Sequence, residues 1–456
     1  MKKNILPRII LSAIIAAMIH PLVGAQSQDE RVQWLKKNGF AISSIDPADE
    51  DFSDLMPLVK QIGKSRIVML GEQSHGDGAT FLAKCRLVRF LHKVMGFDVL
   101  AWESGLYDCW KMDAALRSSK PLQEAIDIGI FGIWGQSGHV RPVFEYAKTT
   151  YATKKPLEMA GFDCQFSAPA APASFQADLT QFLDRADTNM LIAAQKESLK
   201  KALVGFQEFR KMTPDERQSL RAAVVDITAA VNKRKSDLLK AHKAQDVDLY
   251  LRSLDNFVIF QKMMDNLITN QGKMQGVTDN NSRDQRMGEN IVWLAKERYR
   301  DRKIMIWAAS FHDMRNSSTI ETTNPNFSYK GLTTMGQVAY DALGEEIYNI
   351  AFTAYDGKAA NVWAKDARDI GEASAESLEA LLNQIGPPYY FVDFRRAGKD
   401  SSHWLRKPIL SRPLGYGQMK ADWTQIFDAM IFTRTMFPST KSGEVPEGVK
   451  WKREGK

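Results

Sequence analysis

Seven short apolar runs recur along the chain: Arg66–Leu70, Asp98–Trp102, Leu157–Phe162, Lys303–Ala308, Ile347–Ala354, Tyr389–Phe394 and Asp428–Thr433. They are continuous rather than alternating, which predicts strands buried on both faces. Helical spacing fills the intervals, most plainly from Thr80 to Met95, where Phe81, Cys85, Val88, Leu91 and Met95 recur every three or four residues. Strand alternating with helix predicts an α/β fold, with a mostly parallel central sheet flanked by helices. Between residues 165 and 290 the rhythm changes to Leu, Ala, Lys, Asp and Gln at helical spacing, as in Leu251, Leu254, Phe257 and Ile259-Phe260. Pro169-Ala170-Ala171-Pro172 marks the entry to this stretch. It predicts a large helical insertion dividing the α/β core into 26–164 and 291–438, followed by a polar tail, 439–456, expected to fray. The chain is longer than one hydrophobic core usually supports, and the insertion explains that surplus better than an independent second domain does.

The first 25 residues stand apart. Lys2, Lys3 and Arg8 precede a short apolar stretch, Ile9 to Ile19, and Val23-Gly24-Ala25 ends in small residues. This predicts an export signal cleaved before Gln26, placing the mature protein in the periplasm or outside the cell. The apolar stretch meets His20-Pro21 and is shorter than the roughly 20 residues a membrane span needs, so cleavage is favoured over anchoring. The signal carries three cations and no anions, so its loss lowers the formal charge of the 456-residue chain from +7 to +4. That near-balance gives no electrostatic case for a nucleic-acid partner. No other segment has the length of a span, so no membrane partner is expected after cleavage; the oligomeric state stays open. With 44% hydrophobic and 25% charged residues the composition is that of an ordinary globular protein. Cys85, Cys109 and Cys164 are odd in number and form no Cys-x-x-Cys, which favours structural over catalytic or metal-binding roles.

The chemistry lies at the strand ends. Arg66–Leu70 leads into Gly71-Glu72-Gln73-Ser74-His75-Gly76-Asp77-Gly78; Asp98–Trp102 into Glu103-Ser104; Leu157–Phe162 into Asp163; and Lys303–Ala308 through Ala309-Ser310-Phe311 to His312. In an open parallel sheet the carboxyl ends of the strands face one crevice, so these acids and histidines are expected to converge. Asp163 could equally cap the following helix, whereas Gly71, Gly76 and Gly78 permit a close backbone approach that a generic polar loop does not need. His92 and His242 are expected on the surface, and His139 and His403 fall in polar loops. The phosphate-loop pattern fails because Asp77 stands where Lys is required, and neither a nucleophile elbow nor His-Glu-x-x-His occurs. Hydrolysis would therefore use an activated water, deprotonated by a histidine that a carboxylate orients. A divalent metal held by the same histidines and carboxylates, or ligand binding without turnover, are the competing readings.

Leu70-Gly71-Glu72-Gln73-Ser74-His75-Gly76, with Lys84 on the next helix and Trp102-Glu103, resembles the erythromycin esterase family. Gly161-Phe162-Asp163-Cys164-Gln165, Arg283-Asp284 with Met287 and Asn290, Thr334-Met335-Gly336, Ile350-Ala351-Phe352 with Gly357, and Phe427 to Ile431 ending at Phe437-Pro438 extend the likeness from about Trp34 to about Pro438. The resemblance implies an α/β core whose helical addition forms one wall of a deep cleft. It also implies metal-independent hydrolysis of a macrolactone or other lipophilic ester by water attack, without a cofactor and with a small-molecule ester as partner. It assigns His75 as general base, Glu72 as its partner and Glu103 as a further essential acid, and matches His312 to the family's second histidine, a residue whose chemistry suits it to orient water or to stabilise the oxyanion. Lys84, Asp163 and Arg283 are expected to contact substrate. Trp307-Ala308-Ala309-Ser310-Phe311-His312 departs from the family's Trp-Ala-His-Asn-x-His, with Ala309 and Ser310 replacing the first histidine and the asparagine.

Overall fold

A computed structural model describes residues 26–203, 206–271, 277–322 and 328–443. The export signal expected over 1–25 and most of the tail lie outside the described residues. Eight strands carry the fold: β1 Gly39–Ala41, β2 Ile67–Glu72, β3 Val99–Gly105, β4 Glu158–Asp163, β5 Ile304–Ala309, β6 Ile347–Ala359, β7 Tyr389–Asp393 and β8 Ala429–Met436. They form one sheet in the order β1-β7-β8-β6-β2-β5-β3-β4, with a two-residue strand, Arg368–Asp369, on the end of β6. From β8 to β4 every pairing is parallel; β7 and β1 close one edge antiparallel.

The continuous apolar runs are explained by what covers them. Val68, Leu70, Leu100, Trp102, Met305 and Trp307 face one core with Phe81, Cys85 and Val88 of helix α1, Gly78–Met95. The alternate residues Ile67, Met69, Val99, Ala101, Ile304 and Ile306 face a second core with Met287 and Ile291. Both faces are dry, so the strands need no polar alternation. Helix α1 ends at Gly96, whose φ of 72° is the left-handed conformation that glycine adopts without penalty.

Between β4 and β5 the described residues carry helices Ala170–Ala186, Ala193–Ala202, Pro214–Lys233, Lys235–Ala241 and Ala244–Thr269. Phe175, Leu179, Leu183, Val224, Leu254 and Phe257 give this addition its own apolar cluster. The next helix, Asn281–Trp293, runs through residue 290 and packs on the sheet through Met287 and Ile291. Past Pro438 the chain is tied down at first: Ser439 N donates to Gly76 O at 3.0 Å and Thr440 N to His139 Nδ1 at 3.1 Å. Among the described residues no helix is long and apolar enough to cross a membrane. All three cysteines are buried free thiols, and burial pushes that of Cys85 up to about 12.

Candidate active site

Neighbouring strands β2, β5, β3 and β4 deliver Glu72, the segment after Ala309, Glu103 and Asp163 to one edge of the sheet. The loop after Glu72 is fixed by its surroundings. A Cβ on Gly76 would lie 2.7 Å from the Ala360 carbonyl carbon, and one on Gly78 2.6 Å from Pro438 O, so neither position has room for a side chain. Asp77 is buried and accepts from Ser74 N at 2.8 Å, Ser74 Oγ at 2.7 Å and Tyr416 Oη at 2.7 Å. Its burial outweighs those bonds and raises its carboxyl to about 6.

That loop brings His75 Nδ1 to 3.2 Å from Glu72 Oε1. The same oxygen accepts from Trp134 Nε1 at 3.2 Å, and the Lys84 ammonium sits on Oε2. Lys84 is wholly buried, 4.1 Å from the centre of the Trp307 ring. Burial pulls its pKa below the ordinary lysine value although Glu72 opposes the change. About a third of the His75 side chain, 33%, remains exposed, whereas Glu72 has no exposure. Desolvation lowers the basicity of His75, but its bond to Glu72 and the charges of Glu103 and Glu72 prevail and lift it above 6.5.

A second group forms around Arg283, on helix α2, Asn281–Trp293. Its guanidinium grips Asp163 through two bonds of 3.1 and 2.7 Å, and reaches Glu103 Oε1 at 2.9 Å. His312, on the short helix α3, Ser310–Asp313, lies with Nδ1 2.8 Å from Asp284 Oδ1 and Nε2 3.2 Å from Glu103 Oε1. Burial opposes a charge there, as does the Arg283 Nη1 3.2 Å from Nε2, but the flanking Asp284 and Glu103 carboxylates prevail and raise His312 to about 10. Burial alone would raise Glu103, yet His312, Arg283 and His75 hold it well below the usual carboxylate range. Glu72, Glu103, Asp163 and Asp284 thus face Lys84, Arg283 and His312, four carboxyl groups against three basic ones, with His75 at the exposed end. Asp313 lies beneath this cluster with neither carboxyl oxygen hydrogen-bonded, and burial raises its pKa well above the ordinary value although Lys84 and His312 oppose the change.

Glu72, His75, Lys84, Glu103, Asp163, Arg283 and His312 are therefore brought together. Asp163 accepts from Gln165 N at 3.0 Å, so it caps the local turn as well as binding Arg283. Lys84 has no outward face, and its ammonium serves Glu72. Trp134 and Asp284 were not singled out as site residues from sequence: an isolated tryptophan reads as core, and Asp284 is one more acid in a polar helix. Ala309 pairs with Glu72 across the sheet and donates its N–H to Glu103 Oε2 at 3.1 Å, while Ser310 Oγ donates to Gly71 O at 2.7 Å. The other histidines lie elsewhere. His92 bonds Tyr146 Oη at 2.6 Å, His139 is fully buried, and His403 caps a turn. His242, expected on the surface, is half-buried because it stacks on Phe182 at 3.9 Å and bonds its carbonyl. Among the described residues no group of three or more His, Cys, Asp or Glu is disposed to hold a metal ion.

YbfO of Bacillus subtilis, provisionally named a hydrolase, is 25% identical over 428 residues, covering 89% of this chain and 91% of that protein. Erythromycin esterase type II of Escherichia coli is 21% identical over 401 residues, covering 81% and 90%. A Bacillus cereus protein of known crystal structure superposes with a TM-score of 0.74 at 18% identity, over 91% of this chain and 99% of that one. An erythromycin esterase mutant in its open conformation gives 0.66 at 15%, over 89% and 99%. These structures share the fold. The family model described as Erythromycin esterase matches residues 92–436, from within α1 to the end of β8, taking in Glu103, Asp163, Arg283, Asp284 and His312. On that match the chain belongs to the erythromycin esterase family.

Proposed function

We propose that this protein hydrolyses a carboxylic ester by water attack, with His75 as general base. The observation that carries the reading is the asymmetry of the cluster. Its carboxylates are buried and matched to Lys84, Arg283 and His312, while His75, held at Nδ1 by Glu72, keeps a third of its side chain exposed. With Glu72 on Nδ1, the basic nitrogen is Nε2. It takes a proton from water as the oxygen attacks the ester carbonyl, and the imidazolium, paired with Glu72, returns that proton to the departing alkoxide as the tetrahedral intermediate collapses and the ester C–O bond breaks, leaving acid and alcohol.

His312 contributes by charge. Its Nδ1 faces Asp284, and its Nε2 lies 3.2 Å from both Glu103 Oε1 and Arg283 Nη1, so it acts on the developing oxyanion through the field of this cluster rather than by a direct hydrogen bond. Glu103 holds His312, Arg283 and the Ala309 N–H in one frame, and Lys84 fixes Glu72. Asp163 and Arg283, expected to touch substrate, act in this reading mainly as each other's counter-ion. The half-buried aromatics Phe131 and Phe311, beside Trp134 and His312, favour a lipophilic substrate. Erythromycin is the first ester to test, since the Escherichia coli relative takes its name from it. A cleaved export signal at 1–25 would place the reaction outside the cytoplasm. Purified protein is incubated with erythromycin and with 4-nitrophenyl esters of graded chain length, with His75→Ala as control. Turnover by the unmutated protein that falls about 10²–10⁴-fold in the variant supports the assignment; equal turnover removes it.

A further inference from the structure

We infer that Trp134 is a positioning residue that sets how strongly Glu72 acts on His75. This rests on the reading of His75 as the base. Trp134 belongs to the short helical turn Gly132–Gly135, remote in sequence from both residues, and its ring is fully buried. Its indole N–H donates to Glu72 Oε1 at 3.2 Å, the oxygen that faces His75 Nδ1 at the same distance. Its ring also meets the imidazole edge-on, with centroids 5.1 Å apart and planes at 84°. One residue therefore touches both members of the pair.

The turn bearing Trp134 is itself anchored to the site. Phe131 N accepts no freedom there: it donates to Ser104 Oγ at 3.0 Å, next to Glu103, and the Phe131 ring packs edge-on against Trp134. Trp102, below, packs against Trp134 from the sheet. The indole thus arrives at Glu72 on a fixed support.

Two donors on one carboxylate oxygen share its electron density. When His75 takes a proton its bond to Oε1 becomes charge-assisted and strengthens, and the Trp134 donor competes for that oxygen. The other charged groups facing His75 are Glu103 from β3 and His312 from α3, with Lys84 of α1 behind Glu72 on Oε2. None of them shares Oε1. Trp134→Phe keeps a ring in place and removes only the donor, so Glu72 becomes a stronger partner for the imidazolium. The His75 midpoint then rises by about 0.3–1 pH unit, the equivalent of one ordinary hydrogen bond.

The test is an NMR titration of the His75 ring in unmutated protein and in Trp134→Phe, neither of which requires turnover. An upward shift of the midpoint in the variant supports the inference, and an unchanged or lowered midpoint overturns it. The Trp134 indole N–H resonance of the unmutated protein gives a second reading that is independent of how the variant folds. It should move with the His75 midpoint, and an indole signal flat through that midpoint also overturns the inference. Absence of ester cleavage by the unmutated protein would instead count against the hydrolase reading, leaving the titration result standing.

Discussion

Lys84→Met tests the buried charge arrangement most severely. Methionine keeps an unbranched side chain of similar reach over the Trp307 ring and deletes only the ammonium. Glu72, which has no solvent exposure, then keeps Trp134 and His75 as hydrogen-bond partners but has lost its buried cation. Removing one member of a buried ion pair costs about 3–5 kcal/mol, because the remaining charge is left uncompensated. For a chain of this length the unfolding entropy is roughly 1 kcal/mol per degree, so the melting temperature should fall by about 3–5 °C. Lys84→Met combined with Glu72→Gln should recover most of that loss, since a buried pair replaced on both sides by neutral groups is close to neutral for stability. Differential scanning calorimetry of the two variants and the unmutated protein provides the measurement. A loss below about 1 °C in the single variant, or no recovery in the double one, would refute the pairing.

The remaining expectations concern pH, metal and loop geometry. His75 titrates above 6.5, so kcat/KM should decline as pH falls through a midpoint above that value, and Glu72→Gln should move the midpoint down; a pH–rate profile checks both. Asp77 holds its proton up to about pH 6 when folded and to 3.8 when unfolded, so it contributes stability at low pH that is lost as pH rises through that window. Asp77→Asn should accordingly flatten stability against pH between about 4 and 6 in urea unfolding, an effect on the order of 3 kcal/mol. Because Glu72 and Glu103 already face Lys84 and Arg283, elemental analysis of protein purified without chelators should find no stoichiometric divalent metal, and EDTA should leave turnover unchanged. Gly76→Ala should cut kcat at least tenfold by pushing the His75 loop off Ala360, and an active alanine variant would show the loop to be looser than described.

Much of this was legible in the chain. Doubly covered strands leave unbroken apolar runs, which is why Val68–Leu70 and Met305–Trp307 identify themselves and why the strand ends point to Glu72, Glu103, Asp163 and His312. Strand direction at the edge was not legible, because β7 is as apolar as the parallel strands of the sheet although it pairs antiparallel with both β8 and β1. Strand β1, three residues long, carries too few positions to show a period. Trp134 and Asp284 gain their meaning from partners 62 and 28 residues away, which no local pattern records. The burial of Lys84 was not legible either, because a lysine usually ends in water and the carboxylate that holds this one inside lies 12 residues away.

Whether His75 deprotonates water for attack on an ester is decided by hydrolysis in ¹⁸O-enriched water, with mass analysis of the acid product. One labelled oxygen is expected in the new carboxylate with the unmutated protein, and the rate of its appearance should fall by about two to four orders of magnitude with His75→Ala. Label appearing equally fast in the His75→Ala variant, or acid product formed without label, would contradict that role.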